Sequence, residues 1–188
     1  MADYNKAIPI TLEFEGGLSD DAADSGGITK YGVCIEFAKD THDLKLFDKT
    51  GNGRITREDI KRLTIEDAKK AFKKYFWDKL SLDDCPSDKK ALLLFDFSMN
   101  SGIGNAVPAL QRTLNKMGSN LVIDGKYGPK TRAAFFAADE KEFCEKYLNT
   151  RENFFRRIVE RRPSQRVFLR GWLNRVNSLR KIIKTYPD

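Results

Sequence analysis

Apolar residues recur every three or four positions along most of the chain, and few stretches alternate between apolar and polar residues as a half-buried strand does. This spacing predicts helices over residues 8–15, 29–39, 140–162 and 165–184, with further helices capped by Thr64, Ser87 and Asn105 or starting at Pro129. The run at residues 91–99 is apolar on nearly all sides, which predicts a buried central helix. Residues 121–128 predict a short extended piece with a turn. The predicted fold class is therefore all-α.

The composition limits the chemistry that the chain can perform. Its 188 residues, 40% of them apolar, suffice for one sizeable core or for one domain with a small module. His42 is the only histidine, which excludes histidine-based triads and argues against multi-histidine metal sites. Cys34, Cys85 and Cys144 are far apart and odd in number, which favours reduced thiols over a disulfide framework or a zinc site. Hydrolysis by this chain is therefore expected to depend on carboxylates.

The net charge of +7 is distributed unevenly along the chain. Residues 141–188 hold 13 Lys and Arg against 5 Asp and Glu, whereas residues 1–140 hold 21 against 22. A basic surface attracts polyanions without identifying them. Nucleic acid, an anionic cell wall or outer leaflet, and a solvated helix face with no ligand all fit this distribution.

Glu15 is the first candidate for catalysis. Ile8, Leu12 and Glu15 lie on one stripe of the first predicted helix, so the carboxyl is expected to point inward or into the wall of a cleft. A glutamic acid that stays protonated there can give its proton to the leaving oxygen of a glycosidic bond. The glycines that follow at residues 16–17 allow a substrate to approach closely. A surface glutamate at an ordinary helix end fits the same residues.

A second carboxylate, Asp24, follows in a glycine- and aspartate-rich loop over residues 16–27. Such a loop can fold Asp24 back across a cleft, where it would hold the attacking water or stabilise positive charge on the sugar. Thr29 is a candidate for positioning that water, and Asp20 and Asp21 are rivals of Asp24. Turn formation and helix N-capping are the alternative roles for Asp24 and Thr29.

The string EGGLSDDAADSGGITKYGV at residues 15–33 resembles glycoside hydrolase family 108, a lysozyme-like group of N-acetylmuramidases. That family typically shows E-G-G and then D-x-G-G-x-T-x-x-G, and the places of its main residues are taken here by Glu15, Asp24, Thr29 and Gly32. Later segments are also similar to the family, namely YFWD at 75–78, FDFSMNSG at 95–102 and GWLNR at 171–175. Residues 108–132 are similar to its peptidoglycan-binding module.

The resemblance covers most of residues 7–180 and implies a lysozyme-like helical fold with Glu15 as the essential acid. It implies peptidoglycan as the partner and the β-1,4 bond between N-acetylmuramic acid and N-acetylglucosamine as the point of cleavage. Residues 1–102 would form the catalytic region, with an insert at 48–59, and residues 103–188 a helical peptidoglycan-binding region packed against it. Because some members are labelled secretion activators, a non-catalytic wall-binding or secretion-accessory protein is the alternative.

Four residues are candidates for binding the substrate: Gly27, Tyr31, Asn100 and Tyr127. Asn100 lies one helical turn after Asp96 on the predicted buried helix, so both face one side. Asn100 is expected either to bind a sugar N-acetyl or hydroxyl group or to join an internal hydrogen-bond network, and the network is favoured for Asp96. Tyr31 and Tyr127 can stack on sugar faces, although core packing is the commoner role of such aromatic residues.

The polar insert DKTGNGRITRED at residues 48–59 resembles an EF-hand or dockerin-type calcium loop. The candidate ligands at positions one, three, five, seven and twelve are Asp48, Thr50, Asn52, Arg54 and Asp59, with Gly53 at the sharp turn. Thr50 replaces the usual acidic or amide ligand, and Asp59 is shorter than the usual bidentate glutamate. Calcium is therefore expected to bind weakly, or the loop keeps its shape without the ion, and hydrolysis requires no cofactor.

The chain has no apolar run near the roughly 18 residues needed to span a bilayer. Residues 1–10 also lack the basic start and long apolar stretch of a secretory signal. We therefore expect synthesis in the cytoplasm without a signal peptide, and action on the cell wall or periplasm after release. Nucleic-acid binding by the basic C-terminal helices is disfavoured because the sequence contains no recognised module for it.

Overall fold

The computed structural model describes residues 1–15, 18–19 and 28–186, and most of them are helical. The α-helices are α1 (Tyr4–Glu13), α2 (Ile35–Asp40), α3 (Leu44–Phe47), α4 (Arg57–Arg62), α5 (Ile65–Phe72), α6 (Asp88–Ser101), α7 (Ile103–Asn115), α8 (Pro129–Ala137), α9 (Glu140–Arg161) and α10 (Arg166–Thr185). Within these described ranges, three antiparallel strands form one small sheet in the order β1 (Leu18–Ser19), β2 (Thr29–Lys30) and β3 (Val33–Cys34). A π-helical turn spans Lys73–Trp77, and 3₁₀ turns span Asp78–Leu80, Leu82–Asp84 and Pro163–Gln165.

The chain divides into two compact units. The first comprises residues 1–7 together with 76–188, and the second comprises residues 8–75. The boundaries therefore fall inside α1 and inside the π-helical turn. The sequence predicts another division, between a catalytic region that ends at residue 102 and a wall-binding region that follows it. This division concerns function rather than compactness, and it stays a prediction.

Helix α6 is the central element of the first unit, as its apolar sequence predicts. Ser87 caps it by accepting a hydrogen bond from the Lys90 N–H, and residues 90–98 are all buried. Helices α7 and α9 pack against α6, and α10 packs against α9. Helix α9 starts after the cap Asp139 and ends at Arg161, directly before the turn that Pro163 begins. The two long C-terminal helices thus lie where the periodicity predicts them.

Helix α1 begins earlier than the sequence pattern predicts. It starts at Tyr4 rather than Ile8, because the Asp3 carboxylate accepts a hydrogen bond from the Asn5 N–H at 2.8 Å and so caps the first turn. Pro9 consequently lies inside the helix rather than in its first turn. The fully buried polar residue of this helix is Thr11, and Leu12 is only half-buried.

The prediction of a helix over residues 29–39 is wrong in its first half. Thr29 pairs with Cys34 and Lys30 with Val33, so these residues form a hairpin with Tyr31 and Gly32 as its two-residue turn. Both turn residues have positive φ angles, +51° and +80°, which match the twist of paired strands and cannot continue an α-helix. Helix α2 starts only at Ile35, capped by the Cys34 sulfur.

The starts of α5 and α8 agree with the predicted capping residues, and the start of α7 does not. The capping box predicted at Thr64 and Asp67 is present at the start of α5, and Pro129 opens α8. Asn105 does not cap α7, which begins at Ile103 after Gly102. Within the described residues, no helix is long and apolar enough to cross a membrane.

Candidate active site

Glu15 lies just beyond the last turn of α1. The N–H groups of Phe14 and Glu15 donate to the carbonyls of Thr11 and Leu12, which closes the helix in a tight final turn. The side chain of Glu15 is half-buried. Glu15 therefore lies in the turn that ends α1 rather than within the helix, where the apolar spacing predicted it.

The Glu15 carboxyl lies against the hairpin turn at Gly32. A Cβ atom added to Gly32 would be 3.1 Å from Glu15 Cγ and 3.2 Å from Glu15 Oε2. Contacts this short are tighter than most Cβ atoms make, so an added Cβ would require the Glu15 carboxyl to shift by a few tenths of an ångström. The φ of +80° independently favours glycine there. The turn between β2 and β3 therefore supports the candidate acid.

The same hairpin carries two further candidates. Thr29 is half-buried in β2, next to the turn rather than at a helix N-terminus. Tyr31 is half-buried at the turn itself, and the Lys30 ammonium lies 5.3 Å from the centre of its ring. Their contacts with substrate stay predictions. Asp24 and Gly27, the remaining candidates of this segment, lie outside the described residues.

Asp96, the buried carboxylate of α6, is held by two arginines of the C-terminal helices. Its oxygens accept hydrogen bonds from Arg151 Nη1 at 2.5 Å and from Arg175 Nη2 at 2.7 Å. Asp96 and the Arg151 side chain are almost completely buried. Burial opposes ionisation of Asp96, but the two guanidinium groups outweigh it and hold the pKa of the carboxyl below its usual value. Asp96 therefore belongs to an internal network that joins α6, α9 and α10.

Asn100 stands at the edge of this network. Its amide oxygen accepts hydrogen bonds from Arg151 Nη2 at 3.1 Å and from the Ser101 hydroxyl at 3.3 Å. The side chain is half-buried. The sequence left a sugar contact and an internal hydrogen bond open for Asn100. The internal bond is present, and a sugar contact stays a prediction.

Tyr127, the last candidate for substrate binding, borders a pocket of about 570 Å³ together with Lys79, Arg132 and Phe136. Its hydroxyl oxygen is buried and has no hydrogen-bond partner in the described part of the chain. Burial also raises the pKa of this hydroxyl. Sugar stacking by Tyr127 stays a prediction.

The calcium-like loop at residues 48–59 is closed by its own hydrogen bonds. Asp48 accepts from the N–H groups of residues 51, 52 and 53 at 2.7, 3.2 and 2.7 Å. Asp59 accepts from the Thr50 N–H and the Thr56 N–H, both at 2.8 Å, and it is fully buried. Burial would raise the pKa of Asp59, but the bonds from Thr56 and Thr50 outweigh it and lower the pKa to about 2. Asn52 accepts from the Arg54 N–H at 2.9 Å.

This arrangement does not fit a calcium ion well. Each carboxylate already accepts several hydrogen bonds, and the Thr50 hydroxyl donates to Asp48 instead of facing a cation. Among the described residues, no group of three or more His, Cys, Asp or Glu side chains is arranged to hold a metal ion. Calcium binding by Asp48, Thr50, Asn52, Arg54 and Asp59 stays a prediction from the sequence.

We expect millimolar calcium to leave the melting temperature of the protein close to its value in a chelator. A ligand that binds only the folded state raises stability by an amount that grows with the logarithm of its concentration relative to its dissociation constant. Here Asp48 and Asp59 already accept hydrogen bonds from the N–H groups of the loop, so we expect weak binding and a small effect. Differential scanning calorimetry in calcium, in magnesium and in chelator would measure the effect. An upward shift of several degrees with calcium alone would contradict the expectation.

Comparisons with known proteins give this geometry its context. Residues 8–102 match the model of the family described as Glycosyl hydrolase 108, and residues 105–177 match the model described as Predicted Peptidoglycan domain. The chain therefore belongs to glycosyl hydrolase family 108. It is a glycoside hydrolase with peptidoglycan as its partner, as the resemblance predicts.

A solved structure, described as the structure of Brucella abortus SagA, is similar over nearly the whole chain. The two share 24% identity with a TM-score of 0.75, covering 97% of this chain and 94% of that chain. At this identity the likeness concerns the fold, and the prediction of an all-α, lysozyme-like fold is confirmed. No curated protein matches the chain.

Proposed function

We propose that the protein is an N-acetylmuramidase that cleaves the β-1,4 bond between N-acetylmuramic acid and N-acetylglucosamine, with Glu15 as general acid. The observation that carries this proposal is the placement of the Glu15 carboxyl. It lies at the end of α1, half-buried and packed over the Gly32 backbone, inside the segment that matches the hydrolase family.

In the proposed reaction, Glu15 donates its proton to the glycosidic oxygen while the bond from that oxygen to the anomeric carbon breaks. Water adds its hydroxyl to the anomeric carbon and releases one proton to a carboxylate of the site. Glu15 regains a proton, directly or by exchange with solvent, and the enzyme returns to its starting state. We propose that Asp24 guides this water or stabilises the positive charge that develops on the sugar. Thr29 lies in the strand beside the turn that Glu15 contacts, which supports a role in positioning the water.

We also propose that residues 1–102 perform the chemistry and residues 103–188 hold the wall. The two family matches meet between residues 102 and 105, which supports this division. The proposed place of action is the cell wall, reached after release from the cytoplasm.

Mass spectrometry of the digestion products tests the proposed bond. Purified peptidoglycan would be digested and reduced with borohydride, and the products would be separated by liquid chromatography. A muramidase leaves chains that end in reduced N-acetylmuramic acid. Products ending in reduced N-acetylglucosamine, anhydro-muramic ends or released peptides would each overturn the proposal, and retention on the wall without products would favour an accessory wall-binding protein.

The contact at Gly32 yields a prediction about the site. Replacing Gly32 with alanine should lower activity by about tenfold to a hundredfold, because the added Cβ would press on the Glu15 carboxyl and shift it by a few tenths of an ångström, and small misplacements of a catalytic group are costly. The left-handed backbone should also cost about 1–2 kcal/mol in unfolding free energy. Turbidity clearing of cell walls and denaturant titration measure the two effects.

Gly51 offers a matched control in the same compact unit. Its φ is +72°, but nothing lies within 4 Å of an added Cβ, so Gly51→Ala meets the same backbone strain without touching Glu15. We expect Gly51→Ala to lose similar stability and to keep its activity. Equal activity in the two variants would show that the Gly32 contact does not position the acid.

A further inference from the structure

A groove of about 500 Å³ lies where α9 ends and α10 begins. It is lined by aromatic and polar side chains, among them Asn105, Phe154, Arg161, Arg162, Gln165 and Trp172. All of these residues fall within the segment 105–177 that matches the peptidoglycan domain, and all belong to the first compact unit. The volume is typical of a site for a small ligand or for a short piece of a polymer.

The aromatic wall of the groove is anchored in the core. The Trp172 ring stacks on Phe155 with ring centres 5.0 Å apart and planes 20° apart, and Phe155 is fully buried. Phe154 packs edge-on against the core residue Phe97, with ring centres 5.3 Å apart. Because these rings are fixed by their neighbours, the wall offers a preformed apolar surface whose ordering cost is already met by folding.

The polar rim of the groove is basic. Arg161 and Arg162 are both exposed at the end of α9. Two other arginines of these helices, Arg156 and Arg180, each form an ion pair with Glu152, at 2.8 and 3.0 Å. A guanidinium group presents donors in a planar fork that suits a carboxylate.

We infer that this groove binds a carboxylate-bearing segment of peptidoglycan. The aromatic wall suits the apolar face of a sugar ring or an N-acetyl methyl group, while Arg161 and Arg162 suit the carboxylates of the stem peptides. The inference rests on the proposed function only for the identity of the polymer. It assigns the wall-binding property to particular side chains of the first unit, separately from the chemistry at Glu15.

The test measures binding of the full chain to insoluble purified peptidoglycan by sedimentation. Glu15→Gln is present throughout, so that the wall is not consumed. Replacing both Arg161 and Arg162 with alanine should weaken binding by about tenfold or more. Hydrogen bonds to charged groups are among the stronger ones, and a tenfold change in the dissociation constant corresponds to only about 1.4 kcal/mol. The matched control replaces Arg157 and Arg170, two exposed arginines of the same helices outside the groove lining. It removes equal charge and should change binding less than twofold.

Three outcomes would overturn the inference. Binding by the Arg161/Arg162 variant could equal that of the parent, or the control variant could lose as much affinity, which would indicate general charge attraction. Duplex DNA could bind the groove with higher affinity than peptidoglycan and displace the protein from the wall, which would identify a different polyanion as the ligand of the groove. If the chain hydrolyses the wall with an acid other than Glu15, reducing ends will appear in the supernatants of these Glu15→Gln samples. That failure of the proposed mechanism is measured separately from the fraction of protein bound to the wall.

Discussion

Replacing Glu15 with glutamine should lower the rate of peptidoglycan hydrolysis by about 10²–10⁴-fold, the usual loss when a general acid is removed. The amide has nearly the same size as the carboxylic acid and can keep the packing over Gly32, so the variant should fold normally. It cannot donate an acidic proton to the leaving oxygen. Release of reducing ends from purified peptidoglycan measures the rate, and the thermal unfolding curve verifies the fold.

Glu13 provides the control for this experiment. It is the last residue of α1, two positions away from Glu15, and it is exposed. Glu13→Gln therefore removes the same charge from the same helix end and should leave the rate unchanged. If Glu15→Gln hydrolyses the wall as fast as Glu13→Gln, the general acid lies elsewhere and the proposed mechanism is wrong.

Elements with complete local signals were predictable from the sequence. Ser87 and Thr64 each cap a helix through bonds within the next three residues, and Pro129 fits a first helical turn. The buried central helix followed from its apolar sequence alone. These features need no information from distant parts of the chain, which is why periodicity and capping rules located them.

The hairpin beside the candidate acid was not predicted, and the reason is its turn. Two-residue hairpin loops with positive φ at both positions usually carry Asn-Gly or Asp-Gly. Here a tyrosine takes the first left-handed position, so the local sequence signals a turn only weakly. The motif marked Gly32 as a family position, but its contact with the Glu15 carboxyl depends on how two separate segments fold together.

The partners of Asp96 were likewise beyond sequence reasoning. Periodicity indicated that a carboxylate lies on a buried helix and needs partners, but it did not indicate which basic residues supply them. One signal was available: Arg151 lies midway between Tyr147 and Phe155 on the buried stripe of α9. A charged residue at such a position requires an opposite charge in the core. Arg175 on α10 is the second arginine that binds Asp96, and it lies 79 residues away along the chain.

We expect Asp96→Asn to lower the free energy of unfolding by about 3–5 kcal/mol at neutral pH, as is usual when one partner of a buried ion pair is removed. The substitution leaves the guanidinium groups of Arg151 and Arg175 facing a neutral amide in the core. The control is Glu58→Gln, which breaks the exposed pair between Glu58 and Arg62 and should cost about 0.5 kcal/mol or less. Urea titrations of the three proteins give the comparison, and equal losses would contradict the buried network.

The pH dependence of the stability difference between the parent and Asp96→Asn separates the contribution of the Asp96 charge from that of its shape. Because the folded protein holds the pKa of Asp96 below its usual value, the stabilisation is complete above the unfolded pKa of about 4 and is lost as the pH falls through the folded one. The amide that Asp96→Asn introduces does not titrate, so the stability gap between the parent and this variant should narrow progressively as the pH falls below about 4. A gap that stays constant from neutral to strongly acidic pH would mean that Asp96 stabilises the core by its shape and hydrogen bonds rather than by its charge.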